Sequence, residues 1–398
     1  MRTKLAQVSV LVVEDHDFQR QVAIRLLQQM GVGSILDAPD GRSALAELGR
    51  QERPADVVLV DLDLPHMDGI EFIGHVARER LASAVVVLTA LDPALLNTVR
   101  LMARASGMRV LGTVEKPLTQ TKLAEVIDLY FTADLLADED PTPDIDEGLL
   151  AEALASDAFE AWFMPQVAIG SGFVTGVEAL ARWSLNGRPV PPVRFIPELE
   201  RSGLIDALTE RVLAQTCRWL KRWREAGMKL NVSVNVSMHN LADTAAADRY
   251  QAIVQAAGVD PHDVTLEITE SAMMHEAAQV LNVLARLRLK GFGLSVDDFG
   301  TGWSSLSQLA QLPVTELKID RGFINGAADA RNRAVVEASL DLGRKLKLVT
   351  VAEGVRSVDE WQMLAELGCS RAQGELIGMA VPGDQLGAAI EKWRRRQP

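Results

Sequence analysis

The first third of the chain alternates continuous apolar runs with segments of helical periodicity. Five runs predict buried strands: VSVLVVED, SILDA, DVVLVDL, SAVVVLTA and RVLGTVEK. The segment DFQRQVAIRLLQQMG predicts an amphipathic helix that ends at Gly31. Strands that are apolar throughout and separated by helices form parallel sheets with both faces covered. We therefore predict a doubly wound, five-stranded parallel α/β domain over residues 1–132.

Residues 133–146 interrupt this pattern. The segment ADLLADEDPTPDID is rich in acidic residues and proline. It offers little apolar surface for a core, so it lacks the main driving force for folding. We therefore predict an interdomain linker at these residues.

The alternation resumes with longer units over residues 147–398. The candidate strands are AWFMPQV, TGVEALARW, KLNVSVNVS, VTLEITE, GLSVDDF, TELKID, LVTVAEG and RAQGELIG. Eight strands with helical patterns between most of them, in about 250 residues, fit a TIM-like (β/α)8 barrel. A long open α/β sheet is the alternative that the pattern alone leaves open.

The composition of the chain excludes several kinds of function. The chain has 398 residues, enough for two domains, and a net charge of −13. An acidic chain without a basic face argues against DNA binding. The two cysteines, Cys217 and Cys369, stand in no metal-ligand spacing. The N-terminus lacks a signal peptide, and no apolar stretch reaches the roughly 18 residues of a membrane span, so we expect a cytoplasmic protein.

Acidic side chains recur where the strands of the second domain end. In a barrel, the carboxyl ends of the strands open on one face, where active sites form. Six acids should therefore meet at one mouth: Glu178, Glu267, Asp297, Asp298, Asp320 and Glu353. Any one of them alone is more often a helix cap or a surface residue. Their recurrence at the same end of at least five strands favours a functional site.

Crowded carboxylates raise one another's pKa values and destabilise the fold. Divalent cations remove this conflict, and oxygen-rich ligand sets suit Mg²⁺ or Mn²⁺. Neighbouring carboxylates can bridge two ions, which can activate a water and clamp the oxygens of a phosphodiester. Lys318, in the sixth strand, is the cation that could orient the water or neutralise developing charge.

At these residues the second domain resembles the EAL family of cyclic di-GMP phosphodiesterases. The motifs follow in order along the whole domain: Glu178-Ala179-Leu180 with Arg182, Asn235 in NVS, Glu267 and Glu270 in LEITE, Asp297 and Asp298 in DDFGTG, Lys318 and Asp320 in KID, Glu353 in EGV and Gln373 in AQG. The resemblance implies a TIM-like barrel with two Mg²⁺ or Mn²⁺ ions that hydrolyses cyclic di-GMP to linear pGpG. It also implies a homo-oligomer formed through this domain.

The resemblance further implies two sets of metal ligands. One ion would be held by Glu178, Asn235, Glu267 and Asp297. The second would be held by Asp297, Asp298 and Asp320.

Five other matched residues resemble family residues with separate roles. Glu353 resembles the general base, and Lys318 resembles the residue that orients the water. Arg182 and Gln373 are similar to substrate-binding residues, with Arg182 on a phosphate. Glu270 resembles the anchor of the DDFGTG loop, whose glycines permit its movement.

Four positions depart from the residues that are usual in the family. Met164 stands where a glutamine precedes the proline of the first strand, and Trp303 replaces a tyrosine. Arg356 replaces a glutamate after EGV, and Glu375 replaces an aromatic residue after AQG. Three hypotheses for Arg356 stay open. It could disturb a metal or pair with Glu353, turn to solvent, or contact a substrate phosphate.

The first domain resembles the receiver domain of response regulators. Asp61 ends the third strand and resembles the phosphoacceptor, which a cognate sensor histidine kinase would phosphorylate. The strand ends of a doubly wound sheet form its ligand crevice. There Glu14, Asp15 and Asp61 could hold one Mg²⁺, while Thr89 and Lys116 could meet the incoming phosphoryl group.

The sequence therefore supports hypotheses of different classes. The leading one is a two-component response regulator that hydrolyses cyclic di-GMP by a two-metal mechanism, controlled by phosphorylation of Asp61. The alternative is a degenerate EAL domain that binds cyclic di-GMP and signals through protein contacts. A glycosidase is a third hypothesis, but it needs two carboxylates and no metal, which leaves Lys318 and the other acids unexplained.

Overall fold

The computed structural model describes residues 5–51, 53–89, 108–134, 145–156, 158–270, 278–301 and 309–397. The chain divides into two compact units, Met1–Pro143 and Asp144–Pro398. This division falls inside the segment that the sequence predicts as a linker.

The N-terminal unit is built on one parallel sheet. Its strands are β1 (Ser9–Val13), β2 (Ser34–Ala38), β3 (Ala55–Asp61), β4 (Ala82–Thr89) and β5 (Arg109–Glu115). They lie in the order β2-β1-β3-β4-β5, and every pair is parallel. The described helices are α1 (Asp17–Met30), α2 (Gly41–Leu48), α3 (Gly69–Glu79) and α4 (Gln120–Asp134). The predicted five-stranded parallel sheet is confirmed.

The continuous apolar runs explain why this sheet is covered on both sides. Neighbouring residues of a strand point to opposite faces, so an apolar run supplies two cores at once. In β3, Val58 belongs to the core on one face and Leu59 to the core on the other. Helix α1 ends at Gly31, as predicted, because this residue adopts φ +88° and returns its N–H to the carbonyl of Leu27.

The C-terminal unit is a closed barrel. Its strands are β6 (Phe159–Ala168), β7 (Val174–Leu185), β8 (Arg188–Val190), β9 (Asn231–Asn235), β10 (Val264–Thr269), β11 (Gly293–Phe299), β12 (Glu316–Ile319), β13 (Val349–Ala352), β14 (Arg371–Ala372) and β15 (Val381–Pro382). Eight of them close in the order β6-β7-β9-β10-β11-β12-β13-β14, with β14 paired to β6. The predicted eight-stranded barrel is confirmed, and the open-sheet alternative is wrong.

Helices surround this barrel. They are α5 (Glu147–Ala155), α6 (Pro192–Arg201), α7 (Ile205–Glu225), α8 (Met238–Leu241), α9 (Ala246–Ala256), α10 (Ala278–Leu289), α11 (Arg321–Asn325), α12 (Ala330–Leu346), α13 (Val358–Glu366) and α14 (Leu386–Arg394). A short 3₁₀ helix covers Pro261–Asp263. Helix α7 buries Leu213, Leu220 and Trp223 against the strands. Within the described ranges, none of the helices combines the length and apolar character needed to cross a membrane.

The first barrel strand departs from the all-parallel pattern expected of a (β/α)8 barrel. Strand β6 runs antiparallel to both of its barrel neighbours, β7 and β14. The reason is the connection to β7, which consists only of Ile169–Phe173. Parallel neighbours need a crossover of a dozen or more residues, whereas antiparallel neighbours can be joined by a short loop. The chain therefore enters the barrel at the end where the other strands finish.

The last barrel strand is shorter than the predicted segment RAQGELIG. Strand β14 covers only Arg371–Ala372, and the chain turns away at Gly374, which adopts φ +150°. A Cβ at Gly374 would lie 2.2 Å from the backbone nitrogen of Val355, so the close approach of two backbones requires glycine. The sequence analysis also missed the short strands β8 and β15 at the ends of the sheet.

Candidate active site

Lys318 lies inside the barrel, surrounded by acids from four strand ends. It is fully buried. Its Nζ lies 2.6 Å from Glu353 Oε1, 2.7 Å from Glu267 Oε2, 3.1 Å from Asp297 Oδ1 and 3.4 Å from Glu178 Oε2. Five residues that the sequence analysis singles out are therefore brought together in one cluster.

Strand alternation and register account for this convergence. Leu317 and Ile319 pack in the apolar cores outside the barrel, so Lys318 between them points inward. Glu267 on β10 lies directly beside Asn235 on β9 in the parallel register. Because paired residues of neighbouring strands share a face, the polar side chains meet inside the barrel.

Two amides complete the cluster and orient its acids. Asn235 Nδ2 donates to Glu178 Oε1 at 3.0 Å. Gln373 Nε2 donates to Glu178 Oε2 at 2.6 Å and to Glu353 Oε1 at 3.0 Å. Both amides favour the charged form of the acids that they contact.

Gln166 fixes the direction in which Gln373 points. Its Nε2 donates to Gln373 Oε1 at 3.0 Å, so the amide nitrogen of Gln373 must face the carboxylates. Gln166 is buried, and the sequence analysis missed it. A signal was present: Gln166 is a polar residue in an otherwise apolar strand, two positions after Met164 and hence on the same face.

The buried acids of the cluster differ in their protonation. Burial acts to raise the pKa of Glu178, but Lys318 and the amides of Asn235 and Gln373 outweigh it and leave the pKa below its ordinary value. Burial, reinforced by the charge of Glu178, raises the pKa of Glu267 well above its ordinary value. Burial acts to lower the pKa of Lys318, but the four carboxylates raise it well above its usual range. One ammonium cannot balance four carboxylates, so protons stay in the cluster without metal.

The pKa values of two further carboxyls are raised for the same reason. Burial raises the pKa of Glu353 to about 8, with Asp297 adding to the rise and Lys318 opposing it. Burial and the charges of Asp297 and Asp320 raise the pKa of Asp298 to about 6. Without metal, Glu353 is therefore largely protonated at neutral pH.

The adjacent pair Asp297 and Asp298 breaks the alternation of its strand. In a regular strand, successive side chains point to opposite faces. Asp298 instead adopts a left-handed backbone with φ +56°, and the pairing of β11 with β12 shifts register between Val296 and Phe299. Aspartate tolerates this conformation better than most residues. As a result, carboxylate oxygens of Asp297, Asp298 and Glu353 lie within 4.8 Å of one another.

This donor set fits divalent cations. Carboxylates that lie this close together match the hard oxygen ligands preferred by Mg²⁺ and Mn²⁺. A cation would take the place of the protons that the crowded acids retain, which relates the raised pKa values to metal binding.

Two of the matched acids lie at the edge of the cluster. Asp320 caps helix α11, where its Oδ1 accepts the N–H of Gly322 at 2.8 Å. Its charge still contributes to the raised pKa of Asp298, so it lies close to that carboxyl. Glu270 Oε2 accepts the N–H of Gly300 at 2.8 Å, which ties the DDFGTG loop to the end of β10.

Arg182 lies four residues after Glu178 on β7, so the two side chains are on the same, inner face of the strand. Its Nη1 donates to the carbonyl of Ala181 at 3.0 Å. Burial lowers the pKa of Arg182, although the charge of Glu178 opposes this shift. A partly buried guanidinium at this place can meet an anionic group that enters the barrel.

Three of the positions that depart from the family's usual residues are described. Arg356 and Glu375 lie apart from the acidic cluster, and Met164 lies beside it but carries no charge. Arg356 Nε lies 3.7 Å from Glu375 Oε1, and their side chains are 53% and 60% exposed. Arg356 therefore turns to solvent, in agreement with one of the three sequence hypotheses. Met164 lies beside Glu178 in the register of β6 and β7. Trp303 lies outside the described residues.

A second acidic cluster lies at the carboxyl end of the N-terminal sheet. Carboxylate oxygens of Glu14, Asp15 and Asp61 lie within 4.8 Å of one another, a donor set that fits one Mg²⁺. Lys116 Nζ lies 2.7 Å from Glu14 Oε2 and 2.5 Å from Asp61 Oδ2. Burial raises the pKa of Glu14, with Lys116 opposing the rise. Thr89 is the last residue of β4, and its side chain lies outside the described residues.

Comparison with known families assigns both units. Residues 148–380 match the EAL domain. The chain belongs to the EAL-domain family. Residues 10–128 match the response regulator receiver domain. The two matches fall on the two compact units described above.

Individual relatives agree with this assignment. The cyclic di-GMP phosphodiesterase RocR of Pseudomonas aeruginosa is 33% identical over 94% of this chain and 96% of RocR. The bifunctional diguanylate cyclase/cyclic di-GMP phosphodiesterase MucR of the same organism is 39% identical, but the match covers 61% of this chain and 36% of MucR. The solved c-di-GMP complex of the PaMucR phosphodiesterase is 40% identical with a TM-score of 0.57, over 60% of this chain and 97% of that chain. The similarity to RocR thus spans both units, and the similarity to MucR spans the length of one.

The raised pKa values predict how stability depends on pH. In the metal-free protein, Glu353 keeps its proton up to about pH 8, whereas the unfolded chain releases it near the ordinary value of 4.5. The folded state therefore binds more protons between these limits, and the free energy of unfolding falls as pH rises through this window, by up to about 1.4 kcal/mol per pH unit for each such group. Denaturation with chelator at pH 6 and pH 8 should show this loss, and Mn²⁺ should stabilise the protein more at pH 8.

The matched control for this prediction is Glu353→Gln, which cannot titrate. Its unfolding free energy should vary less with pH than that of the wild type. Identical pH profiles for the two proteins would show that Glu353 ionises normally.

The exposed ion pair of Arg356 and Glu375 predicts that Arg356 has little influence on metal binding. An exposed ion pair is worth at most about 1 kcal/mol. We expect Arg356→Ala and Glu375→Ala each to change the Mn²⁺ concentration for half-maximal binding by less than about fivefold, measured by calorimetry. A tenfold gain in Mn²⁺ affinity in Arg356→Ala alone would show that its charge does act on the cluster.

Proposed function

We propose that this chain is a response regulator that hydrolyses cyclic di-GMP to linear pGpG. The observation that carries the proposal is the cluster of acids around Lys318 inside a barrel of the EAL family. The relatives support it, because RocR and PaMucR are phosphodiesterases by name and the PaMucR structure contains c-di-GMP.

Two divalent cations, Mg²⁺ or Mn²⁺, belong to the proposed site. The residues that would hold the first are Glu178, Asn235, Glu267 and Asp297. The residues that would hold the second are Asp297, Asp298 and Asp320. Such cations polarise a phosphodiester and make the attacking water more acidic. The side chains of this chain must supply the base, its orientation and the substrate contacts.

Glu353 is the general base in this proposal. A general base must lie within reach of the water that it deprotonates, and the carboxylate of Glu353 lies beside those of Asp297 and Asp298, where the proposed cations would hold that water. Lys318 lies 2.6 Å from Glu353 Oε1, and Gln373 donates to the same oxygen at 3.0 Å. These contacts hold one oxygen in place and leave the other to accept the proton of the attacking water. Lys318 also offsets negative charge that develops on the phosphate.

Arg182 would bind a phosphate of the substrate. A guanidinium recognises phosphate oxygens through two parallel hydrogen bonds, which is a geometry that lysine cannot reproduce. The bond from Gly300 to Glu270 would keep the loop after Asp298 close to the reacting phosphate. The acidic charge of the whole chain makes such local cations necessary for an anionic substrate.

The N-terminal unit would control this activity. Asp61 would accept a phosphoryl group from a sensor histidine kinase, with one Mg²⁺ held by Glu14, Asp15 and Asp61. Lys116 already contacts Asp61 and would then meet the phosphoryl oxygens. Association of copies through the EAL domain stays a prediction from the resemblance.

The degenerate alternative, a domain that binds without hydrolysis, differs in one measurable outcome. The departures that favour it are Met164, Arg356 and Glu375. Arg356 and Glu375 lie next to each other at the surface, whereas Met164 lies beside Glu178 but carries no charge. Purified protein incubated with cyclic di-GMP and Mn²⁺, followed by chromatography, should yield pGpG. Binding of cyclic di-GMP without pGpG would favour the alternative.

Asp297→Asn should reduce turnover by more than about 100-fold, because a ligand shared by both proposed metals would be lost and even outer partners of metal ligands are worth 10–100-fold. The assay is pGpG release with saturating Mn²⁺. Asp341→Asn is the control, since Asp341 is an exposed helix residue paired with Lys345. Near-full activity of Asp297→Asn, or of the wild type in excess chelator, would contradict the two-metal mechanism.

Asp61→Asn should abolish phosphorylation by a small-molecule phosphodonor and remove the effect of that donor on pGpG release. The reason is the contact of Asp61 with Lys116 beside Glu14 and Asp15. Asp63→Asn is the matched control, because Asp63 is exposed two residues away. Equal labelling of Asp61→Asn and wild type would exclude this phosphoacceptor. Labelling of the wild type without a change in pGpG release would show that phosphorylation of Asp61 does not control the activity of the barrel.

A further inference from the structure

Glu316 is a buried acid that the proposed mechanism does not use. It precedes Lys318 by two residues on β12, so both side chains point into the barrel. Its Oε2 lies 3.1 Å from Arg371 Nη1. Its Oε1 is buried and has no hydrogen-bond partner among the described residues. Burial raises the pKa of Glu316, and the charge of Arg371 opposes this rise.

Glu316 ends a row of polar residues across three neighbouring strands. Glu267 on β10 lies beside Ser295 on β11, and Ser295 lies beside Glu316 on β12. Residues paired in this way share a face, so all three point inward. Each has one buried oxygen that meets no partner at hydrogen-bond geometry in the described part of the chain, namely Glu267 Oε1, Ser295 Oγ and Glu316 Oε1, although Ser295 lies close enough to Glu316 to lower the pKa of that acid.

The chemistry of these three atoms defines what could satisfy them. When metal has displaced the protons of the cluster, two are carboxylate oxygens, which accept hydrogen bonds, and one is a hydroxyl, which donates one and can accept others. Ser295 alone can donate to only one of the two carboxylates. A water molecule donates two hydrogen bonds and accepts the hydroxyl of Ser295, so one water satisfies all three atoms.

We propose that Glu316 is a positioning residue for Glu267, acting through one buried water that also binds Ser295. Arg371 holds Glu316, the water joins Glu316 to Glu267 Oε1, and Lys318 holds Glu267 Oε2. The inference rests on the proposed function, because it treats Glu267 as a metal ligand.

This arrangement gives Glu267 support from both of its oxygens. Without Ser295, Glu316 and the shared water, only the bond to Lys318 at 2.7 Å would orient the carboxylate. Outer partners of metal ligands fix ligand direction, and their loss typically lowers metal affinity by roughly 10–100-fold. Arg371 also lies two residues before Gln373, so its bond to Glu316 fixes the short strand from which Gln373 reaches the acids.

The test measures Mn²⁺ affinity by calorimetry on the full chain without substrate. Ser295→Ala and Glu316→Gln should each weaken Mn²⁺ binding by roughly 10-fold or more. The double variant should be no weaker than the worse single one, because both act through the same water. Thr350→Val is the control. It also removes a buried hydroxyl from a barrel strand, but one that bonds Ser370 outside the barrel.

The outcomes separate this inference from the proposed function. Wild type that binds no Mn²⁺ would overturn both. Wild type that binds Mn²⁺, with Ser295→Ala and Glu316→Gln equal to Thr350→Val, would overturn only the role of Glu316. Additive losses in the double variant would exclude a shared water.

A crystal structure of the metal-free protein provides a second readout that does not depend on the variants folding. It should show one ordered water within hydrogen-bond distance of Glu267, Ser295 and Glu316. Absence of that water at a resolution that shows other buried waters would overturn the proposal.

Discussion

The contact between one buried ammonium and four carboxylates sets the conditions for the whole barrel interior. Lys318 has no access to solvent, and burial of an unpaired charge costs several kcal/mol. The acids that compensate it come from β7, β10, β11 and the end of β13, so the charge balance depends on every one of these strands keeping its register. Removal of one partner from such a buried set costs roughly 3–5 kcal/mol, since it leaves the other uncompensated. The four carboxylates that stabilise Lys318 outnumber it. The cluster therefore keeps an excess of negative charge that can bind further cations.

The fold could be predicted because its signals are local. Apolar runs and helical periodicity identified the strands, and the strand-end rule brought Glu178, Glu267, Asp297 and Glu353 to one place. The direction of β6 was missed, since periodicity is the same for a strand read in either direction. The length of Ile169–Phe173 carried that information, because so short a connection cannot cross a barrel.

The site was predicted less completely, for two physical reasons. A position at a strand end identifies the acids at the mouth of the barrel, whereas Gln166 and Glu316 lie further inside, where they contact Gln373 and Arg371. Polar residues within apolar strands were the signal that could have found them. The second reason concerns Arg356, for which the sequence left three hypotheses open. Its position after Glu353 was clear from the sequence, but side-chain direction in a loop depends on neighbours such as Glu375, which lies elsewhere in the chain.

The left-handed backbone of Asp298 has a consequence for how such a chain can evolve. Glycine and asparagine adopt this conformation as readily as aspartate, whereas glutamate does so less readily. Both replacements are also a single nucleotide away from an aspartate codon. One mutation can therefore remove this carboxylate while the turn that begins the DDFGTG loop stays unstrained. The backbone thus tolerates the loss of this charge without the loss of the fold.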